Sequence, residues 1–203
     1  MIAIVDYGLG NLRSVQYALD RLEVDSVLTG DAGQIADADG VILPGVGAFG
    51  RAMGRLRQLG LLDPTRRAAL SGRPFMGICL GMQLLFSESE EHGRHEGLGI
   101  LPGRVVRFGG DLTVPHMGWN EVRQEGPSPL LAGVPDGSFF YFAHSYYAAA
   151  EDAEVVAGTT DYGGRYASLV QKDAVFAAQF HPEKSGPTGL KMLGNFCRLC
   201  RKE

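Results

Sequence analysis

The sequence predicts an α/β fold, with a central, mostly parallel sheet, helices on both of its faces, and an antiparallel extension in the C-terminal half. Three observations carry this. Over residues 1–90, short apolar runs alternate with segments of helical period, the pattern of successive strand–helix units. Those runs are apolar at every position rather than at alternate ones, as strands covered on both faces require. Beyond about residue 104, extended runs follow one another across short turns, which reads as hairpins. The arrangement expected is the flavodoxin-like one, in which ligands sit outside the carboxyl ends of the parallel strands.

The elements follow in order. Residues 2–5 are an apolar, β-rich run that stops at Asp6-Tyr7-Gly8-Leu9-Gly10-Asn11. A helix is predicted next, with Leu12, Val15, Leu19 and Leu22 on one face and Asn11 as its N-cap. Residues 24–28 and 41–43 are the second and third strands, the latter leaving through Pro44-Gly45-Val46-Gly47. Helical segments are expected near 48–59 and 63–71. A fourth strand is expected at 75–79, and a helix beginning over 82–86 directly after it. In the second half, 105–108, 139–142, 154–157, 168–171 and 174–180 read as strands. The last helix, about 188–200, carries Leu190, Leu193, Cys197 and Cys200 on one stripe. The Gly-rich strand exits at 7–11, 44–47 and 77–81 can therefore converge on one site.

The chain has 203 residues, 45% of them apolar, which suffices for one substantial core, so one domain over 1–203 is expected. No apolar run approaches the ~18 residues of a membrane span. The first residues have no basic segment before their apolar run and read as a strand, not a leader, so a cytoplasmic location is expected. The net charge is −4 and the basic residues are scattered, Arg51, Arg55 and Arg57 forming the densest group. Nucleic-acid and membrane-surface roles both need concentrated positive charge, and neither is expected. Three cysteines, Cys79, Cys197 and Cys200, do not suggest a disulfide framework. Cys197 and Cys200 lie at i, i+3 on the apolar stripe, and no second pair completes a metal site. No metal or cofactor is expected. Gly8-Leu9-Gly10 lacks the third glycine of a dinucleotide-binding turn, because Arg13 stands there.

The strongest motif is Gly77-Ile78-Cys79-Leu80-Gly81, a nucleophile elbow with Cys in place of Ser. A nucleophile on a sharp strand-to-helix turn projects from the sheet edge, and flanking glycines relieve the crowding. The helix that follows aims free N–H groups at the sulfur and favours thiolate. The Leu80 amide is placed to donate to an oxyanion. Taken alone, the pattern also fits a structural cysteine between packing glycines. A Cys nucleophile needs a base, and His181-Pro182-Glu183 supplies one. Residues i and i+2 of an extended segment share a side, and Pro182 biases His181 towards that geometry. Glu183 can then hold the His181 tautomer and stabilise its imidazolium. By contrast, His92 and His95 lie in a polar stretch, 88–96, that reads as a solvated loop. The turn at Val46 and Gly47 can complete an oxyanion hole.

These residues together resemble the class I, triad-type glutamine amidotransferases. Finer features narrow the resemblance to the glutaminase subunits of imidazole glycerol phosphate synthases: Asp6-Tyr7-Gly8-Leu9-Gly10-Asn11, Pro44-Gly45-Val46-Gly47-Ala48-Phe49, Gly97-Leu98-Gly99, Pro115-His116-Met117-Gly118-Trp119-Asn120, Phe142-Ala143-His144-Ser145-Tyr146 and Gln179-Phe180-His181-Pro182-Glu183-Lys184-Ser185. It covers essentially the whole chain. It implies that Cys79 attacks the side-chain amide of glutamine, that the Val46 and Leu80 amides hold the oxyanion, and that His181 moves the protons. By the same analogy Gln83, Tyr141, His144, Ser145 and Tyr146 bind substrate. The partner implied is a (β/α)8-barrel cyclase subunit that receives the ammonia. No loop with a paired Lys is built to cradle a phosphorylated acceptor, which also places the acceptor on another chain. Trp119 is the only tryptophan, and interfaces favour such anchors. His116, Met117, Trp119 and Asn120, read as a polar, Gly-rich loop, are expected at the partner interface. A glutaminase serving another synthase, and a catalytically silent subunit on the same scaffold, are the alternatives.

Overall fold

The computed structural model describes residues 1–201. Its first half is β1 (Ile2–Val5), α1 (Leu12–Asp20), β2 (Ser26–Thr29), α2 (Ala32–Asp37), β3 (Gly40–Gly45), α3 (Phe49–Gln58), α4 (Leu62–Ala69), β4 (Phe75–Cys79) and the single turn α5 (Leu80–Gln83). The second half is β5 (Phe86–Ser89), β6 (His95–Glu96), β7 (Leu101–Arg107), β8 (His116–Gln124), β9 (Ser138–His144), β10 (Tyr146–Ala150), β11 (Val156–Asp161), β12 (Arg165–Lys172), β13 (Val175–Ala178) and α6 (Gly186–Leu199).

Nine strands form one sheet in the order β2-β1-β3-β4-β13-β12-β11-β8-β9. The five from β2 to β13 are parallel, and the remaining pairings are antiparallel. Alternate residues of the parallel strands feed two cores. Ala3, Val5, Val41 and Leu43 pack with Ile35, Phe49, Met53 and Leu56 from α2 and α3. Ile2, Ile4, Ile42 and Met76 pack with Val15 and Leu19 of α1 and with Met192, Leu193 and Phe196 of α6. Each such fully buried aliphatic side chain stabilises by about 1.5–3 kcal/mol. Uniform apolarity along these strands thus has its expected cause, helices on both faces.

A second sheet, β10-β7-β5-β6, joins the first core through Phe86, Leu101, Val105 and Ala148. The sequence did not suggest it. The helix expected from 82 onwards is absent, since α5 ends at Gln83 and the chain turns into β5. Leu84 and Leu85 offer their carbonyls to the amides of Leu98, Ile100 and Leu101 instead of to a continuing helix. A short run buried on all sides has no periodicity to tell strand from helix. The segment expected to be a solvated loop pairs Glu88 with Glu96 and Ser89 with His95. Of the strand expected over 154–157, residues 154 and 155 belong instead to a 3-10 turn, Ala153–Val155, capped by Asp152, and β11 begins at Val156. Asn11 makes no side-chain cap on α1 and is used elsewhere.

Candidate active site

Cys79 ends β4 with φ 54° and ψ −110°, a conformation that costs a non-glycine residue roughly 1–3 kcal/mol. Packing around the elbow maintains it. Gly45 lies opposite Cys79 in β3, and a side chain on Gly45 would meet the Tyr7 hydroxyl at 2.6 Å and Leu80 Cβ at 2.9 Å. The Tyr7 hydroxyl donates to the Pro44 carbonyl at 2.9 Å, so the first strand exit braces the turn that presents Val46 and Gly47. One helical turn after Cys79 brings little dipole to the sulfur. Gln179 Nε2 donates a side-chain N–H to it at 3.7 Å.

β13 runs beside β4 and delivers His181 next to the elbow. His181 Nδ1 donates to Glu183 Oε1 at 2.8 Å, and both side chains are almost completely buried. The pairing arises in a 3-10 turn, Pro182–Lys184, preceded by an extended His181, not in a continuous extended segment. Asn11 Nδ2 reaches the same carboxylate oxygen at 3.4 Å, and Asn11 Oδ1 accepts from Ser14 Oγ. Glu183 Oε2 is buried without a hydrogen-bond partner. Burial by itself lowers the His181 pKa, but hydrogen bonding with the Cys79 sulfur and with Glu183 outweighs it and raises the value to about 10. Both of these interactions favour the protonated form of the ring.

A cavity of about 300 Å³ opens over the sulfur, lined by Val46, Gly47, Cys79, Leu80, Gln83, His144, Ser145 and Tyr146, with Glu91, Pro115, Met117 and Ala143 completing it. Expected oxyanion residues and most expected substrate residues thus share one wall system. Tyr141 is the exception. Its ring lies 6.2 Å from Trp119 and beneath Lys184 Nζ, outside the cavity, while its carbonyl accepts from the His181 amide.

Residues 116–120 are strand, not loop. Gly118 and Asn120 mask an alternation that the register makes plain, with Met117 opposite Ala143, Trp119 opposite Tyr141 and Glu121 opposite Phe139. These six share one face of the β8–β9 ribbon, where Met117, Trp119 and Phe139 are 65%, 56% and 53% exposed. His116 points the other way and is 4% exposed, contrary to its expected place on the interface. It stacks between Phe142 and Tyr162. Asn120, also on the inner face, donates to the Asp161 carbonyl.

Burial lowers the pKa of His116 to about 4. Burial, and then the nearby His116 and His181, lower that of His144 to about 3, against a hydrogen bond to the Tyr146 carbonyl that raises it. Both rings are neutral in the fold and ionise near 6.5 when unfolded. The unfolded chain binds more protons between those values, so the contribution is complete above about pH 6.5 and lost as pH falls towards 4 and then 3. Urea midpoints measured from pH 7 to 4 should therefore fall less steeply for His144→Gln than for the unsubstituted chain.

Residues 3–200 match the family model for glutamine amidotransferase class-I. The chain belongs to the class I glutamine amidotransferases. Among curated relatives of this amidotransferase, the imidazole glycerol phosphate synthase subunit HisH of Desulfitobacterium hafniense is 55% identical over 97% of this chain and 93% of that protein. The subunit of the same name from Syntrophotalea carbinolica is 52% identical over 97% and 98%. Among solved structures, one described as a glutamine amidotransferase superposes with a TM-score of 0.76 at 22% identity, covering 98% of this chain and 99% of that one. PurLQS from Thermotoga maritima gives 0.75 at 21%, covering 98% of each. These two share the fold.

The amidotransferase site also contains residues that sequence reasoning passed over. Glu91 is the one carboxylate lining the cavity among the described residues, and its Oε2 accepts from the Phe49 amide that opens α3. It was hidden in a stretch of charged residues with no distinguishing pattern. Gln179 was visible only as part of the His-Pro-Glu motif. Tyr7 stood in the opening motif without a role.

Proposed function

We propose that this amidotransferase hydrolyses glutamine with Cys79 as nucleophile and passes the ammonia to a separate (β/α)8-barrel synthase subunit, with which it forms a heterodimer. That subunit makes imidazole glycerol phosphate and aminoimidazole carboxamide ribotide in histidine biosynthesis. The observation that carries the reading is a strained Cys79 beside a buried His181–Glu183 pair at the floor of a cavity.

The Cys79 thiolate attacks the side-chain carbonyl carbon of glutamine. The Val46 and Leu80 amides receive the developing oxyanion. The tetrahedral species collapses with cleavage of the C–N bond, and His181 gives its proton to the departing nitrogen, releasing ammonia. A thioester on Cys79 removes the largest influence that raised the His181 pKa. The ring is then free to take a proton from water, which attacks the thioester and releases glutamate. Glu183 keeps the Nδ1 proton in place throughout. Glu91 supplies the anion that the α-ammonium of glutamine requires, and Gln83, His144, Ser145 and Tyr146 line the rest of the binding cavity.

Hydrolysis without an acceptor would only waste glutamine, and the exposed apolar strip of Met117, Trp119 and Phe139 suits a protein partner. Met117 and Val46 belong both to the cavity wall and to the exposed apolar residues, so the partner meets the chain at the mouth of the site. Trp119→Ala should weaken association about ten- to thirty-fold in Kd by titration of the barrel subunit. The far-UV circular dichroism should be unchanged, since the indole is mostly outside the core. A variant that loses its folded spectrum would make Trp119 a core residue. The glutaminase reading itself is tested by a glutamine-like diazoketone. One covalent adduct on Cys79 is expected with the barrel subunit present, and the reading fails if that residue stays unlabelled.

A further inference from the structure

Gln179 is 0% exposed and its Nε2 lies 3.7 Å from the Cys79 sulfur. An amide side chain can present either its oxygen or its nitrogen, so which of them meets the sulfur has to be decided by other partners. The Gln83 nitrogen lies 2.8 Å from the Tyr146 carbonyl, which only accepts, so that end of Gln83 must be the NH2. The same nitrogen donates to Gln179 Oε1 at 3.0 Å. With its oxygen facing Gln83, Gln179 is left with its N–H towards the sulfur. Reversing Gln83 would set oxygen against oxygen, and reversing Gln179 would set NH2 against NH2.

The network continues outwards. His144 Nδ1 also donates to the Tyr146 carbonyl, at 2.8 Å, which uses both lone pairs of that oxygen and leaves His144 Nε2 as an acceptor. His116 Nδ1 lies 3.3 Å from it, with the Tyr166 hydroxyl 3.2 Å from both nitrogens. Asn120 Oδ1 accepts from the Glu121 amide, so Asn120 Nδ2 is the donor at 3.3 Å from His116 Nε2. His116 then carries its proton on Nδ1 and gives it to His144. The donors from Asn120, on the strand that carries Trp119, run inward through His116 and His144 to the Tyr146 carbonyl. That carbonyl also accepts from Gln83, from which the donors run on through Gln179 to the sulfur of Cys79.

We propose that Gln179 is a further catalytic residue, a buried donor to the Cys79 sulfur, and that its amide is oriented by Gln83, which is fixed in turn by a Tyr146 carbonyl that His144 and His116 hold in place from the other side. An N–H aimed at the sulfur favours its anionic form in a place where the one-turn α5 offers little dipole. His116 acts through His144 and is a positioning residue.

The inference rests on the glutaminase reading and is tested separately from it. The pH dependence of Cys79 alkylation by iodoacetamide is followed by peptide mass spectrometry in the full chain. Gln179→Glu, which keeps the acceptor for Gln83 but removes the donor to sulfur, should move the alkylation midpoint upward by about one pH unit. In the complex its kcat for glutamine should fall about ten- to hundred-fold with KM little changed. Gln179→Met serves if the glutamate variant does not fold. His116→Phe, which keeps the ring stack, should shift the midpoint in the same direction by less. Midpoints equal to the unsubstituted chain's in the Gln179 variants overturn the donor role, and an unmoved His116→Phe overturns the orienting chain. If the unsubstituted complex does not hydrolyse glutamine, the underlying reading has failed, whatever the alkylation shows.

Discussion

Replacing Cys79 with serine should reduce glutamine-dependent product formation by the complex about 10⁴- to 10⁶-fold, while synthesis from added ammonium salt continues at the unsubstituted rate. The two halves of this result have different causes. Serine fits the elbow, because it occupies the positive-φ position no worse than cysteine and, being smaller, adds no bulk opposite Gly45. Fold and docking face should survive. The hydroxyl, however, does not supply the anion that His181 is arranged to accompany, because a serine hydroxyl is far weaker as an acid and as a nucleophile than a cysteine thiol. Ammonia entering from solution bypasses all of this, because the acceptor chemistry belongs to the partner. Steady-state assays with each nitrogen source, on one preparation of the complex, check both halves. Loss of both activities would mean that the acceptor chemistry depends on this chain.

Gly81→Ala should be the most damaging single-methyl substitution at the site. A Cβ on Gly81 would be driven into the Leu43 carbonyl oxygen and would lie 2.8 Å from the Leu43 carbonyl carbon. Both are backbone atoms of β3, which is paired to β4 along its length, so neither side of the contact can yield by changing a rotamer. The cost should reach about 4 kcal/mol, at the upper end for single substitutions, read as a shift in the urea midpoint at unchanged slope. What folded protein remains should be inactive, because relief requires the elbow to move away from the Val46 turn. Gly47→Ala is a useful contrast. No atom lies within 4 Å of the position a Cβ would take there, and only its φ of 94° opposes the side chain.

The parallel half of the fold was legible because burial on both faces leaves an unambiguous mark, an unbroken apolar run between helical segments. The elbow was legible because its constraint is local. Glycines at 77 and 81 are needed within a few residues of Cys79, and the sequence displays them side by side. His181 and Glu183 were legible for the same reason, though the turn that brings them together was not. What failed was whatever depended on distant partners. Leu84, Leu85 and Phe86 look like a helix start until residues 97–101 are seen to take their carbonyls. The strand β8 looks like a polar loop because the groups that satisfy His116 and Asn120, namely His144, Tyr166 and the Asp161 carbonyl, lie 28 to 50 residues away. Glu91 and Gln179 gain their positions from contacts across 42 and 100 residues, and no local pattern distinguishes them from other acids and amides.

The most direct test of the account is glutamate release from glutamine, measured for the isolated chain, for the chain with the barrel subunit, and for the complex supplied with its acceptor substrate. Low release from the chain alone, rising on addition of the subunit and again with acceptor, and abolished by Cys79→Ser in all three, is the predicted result. Full hydrolysis by the isolated chain, unchanged by the partner, or release that survives Cys79→Ser, would contradict it.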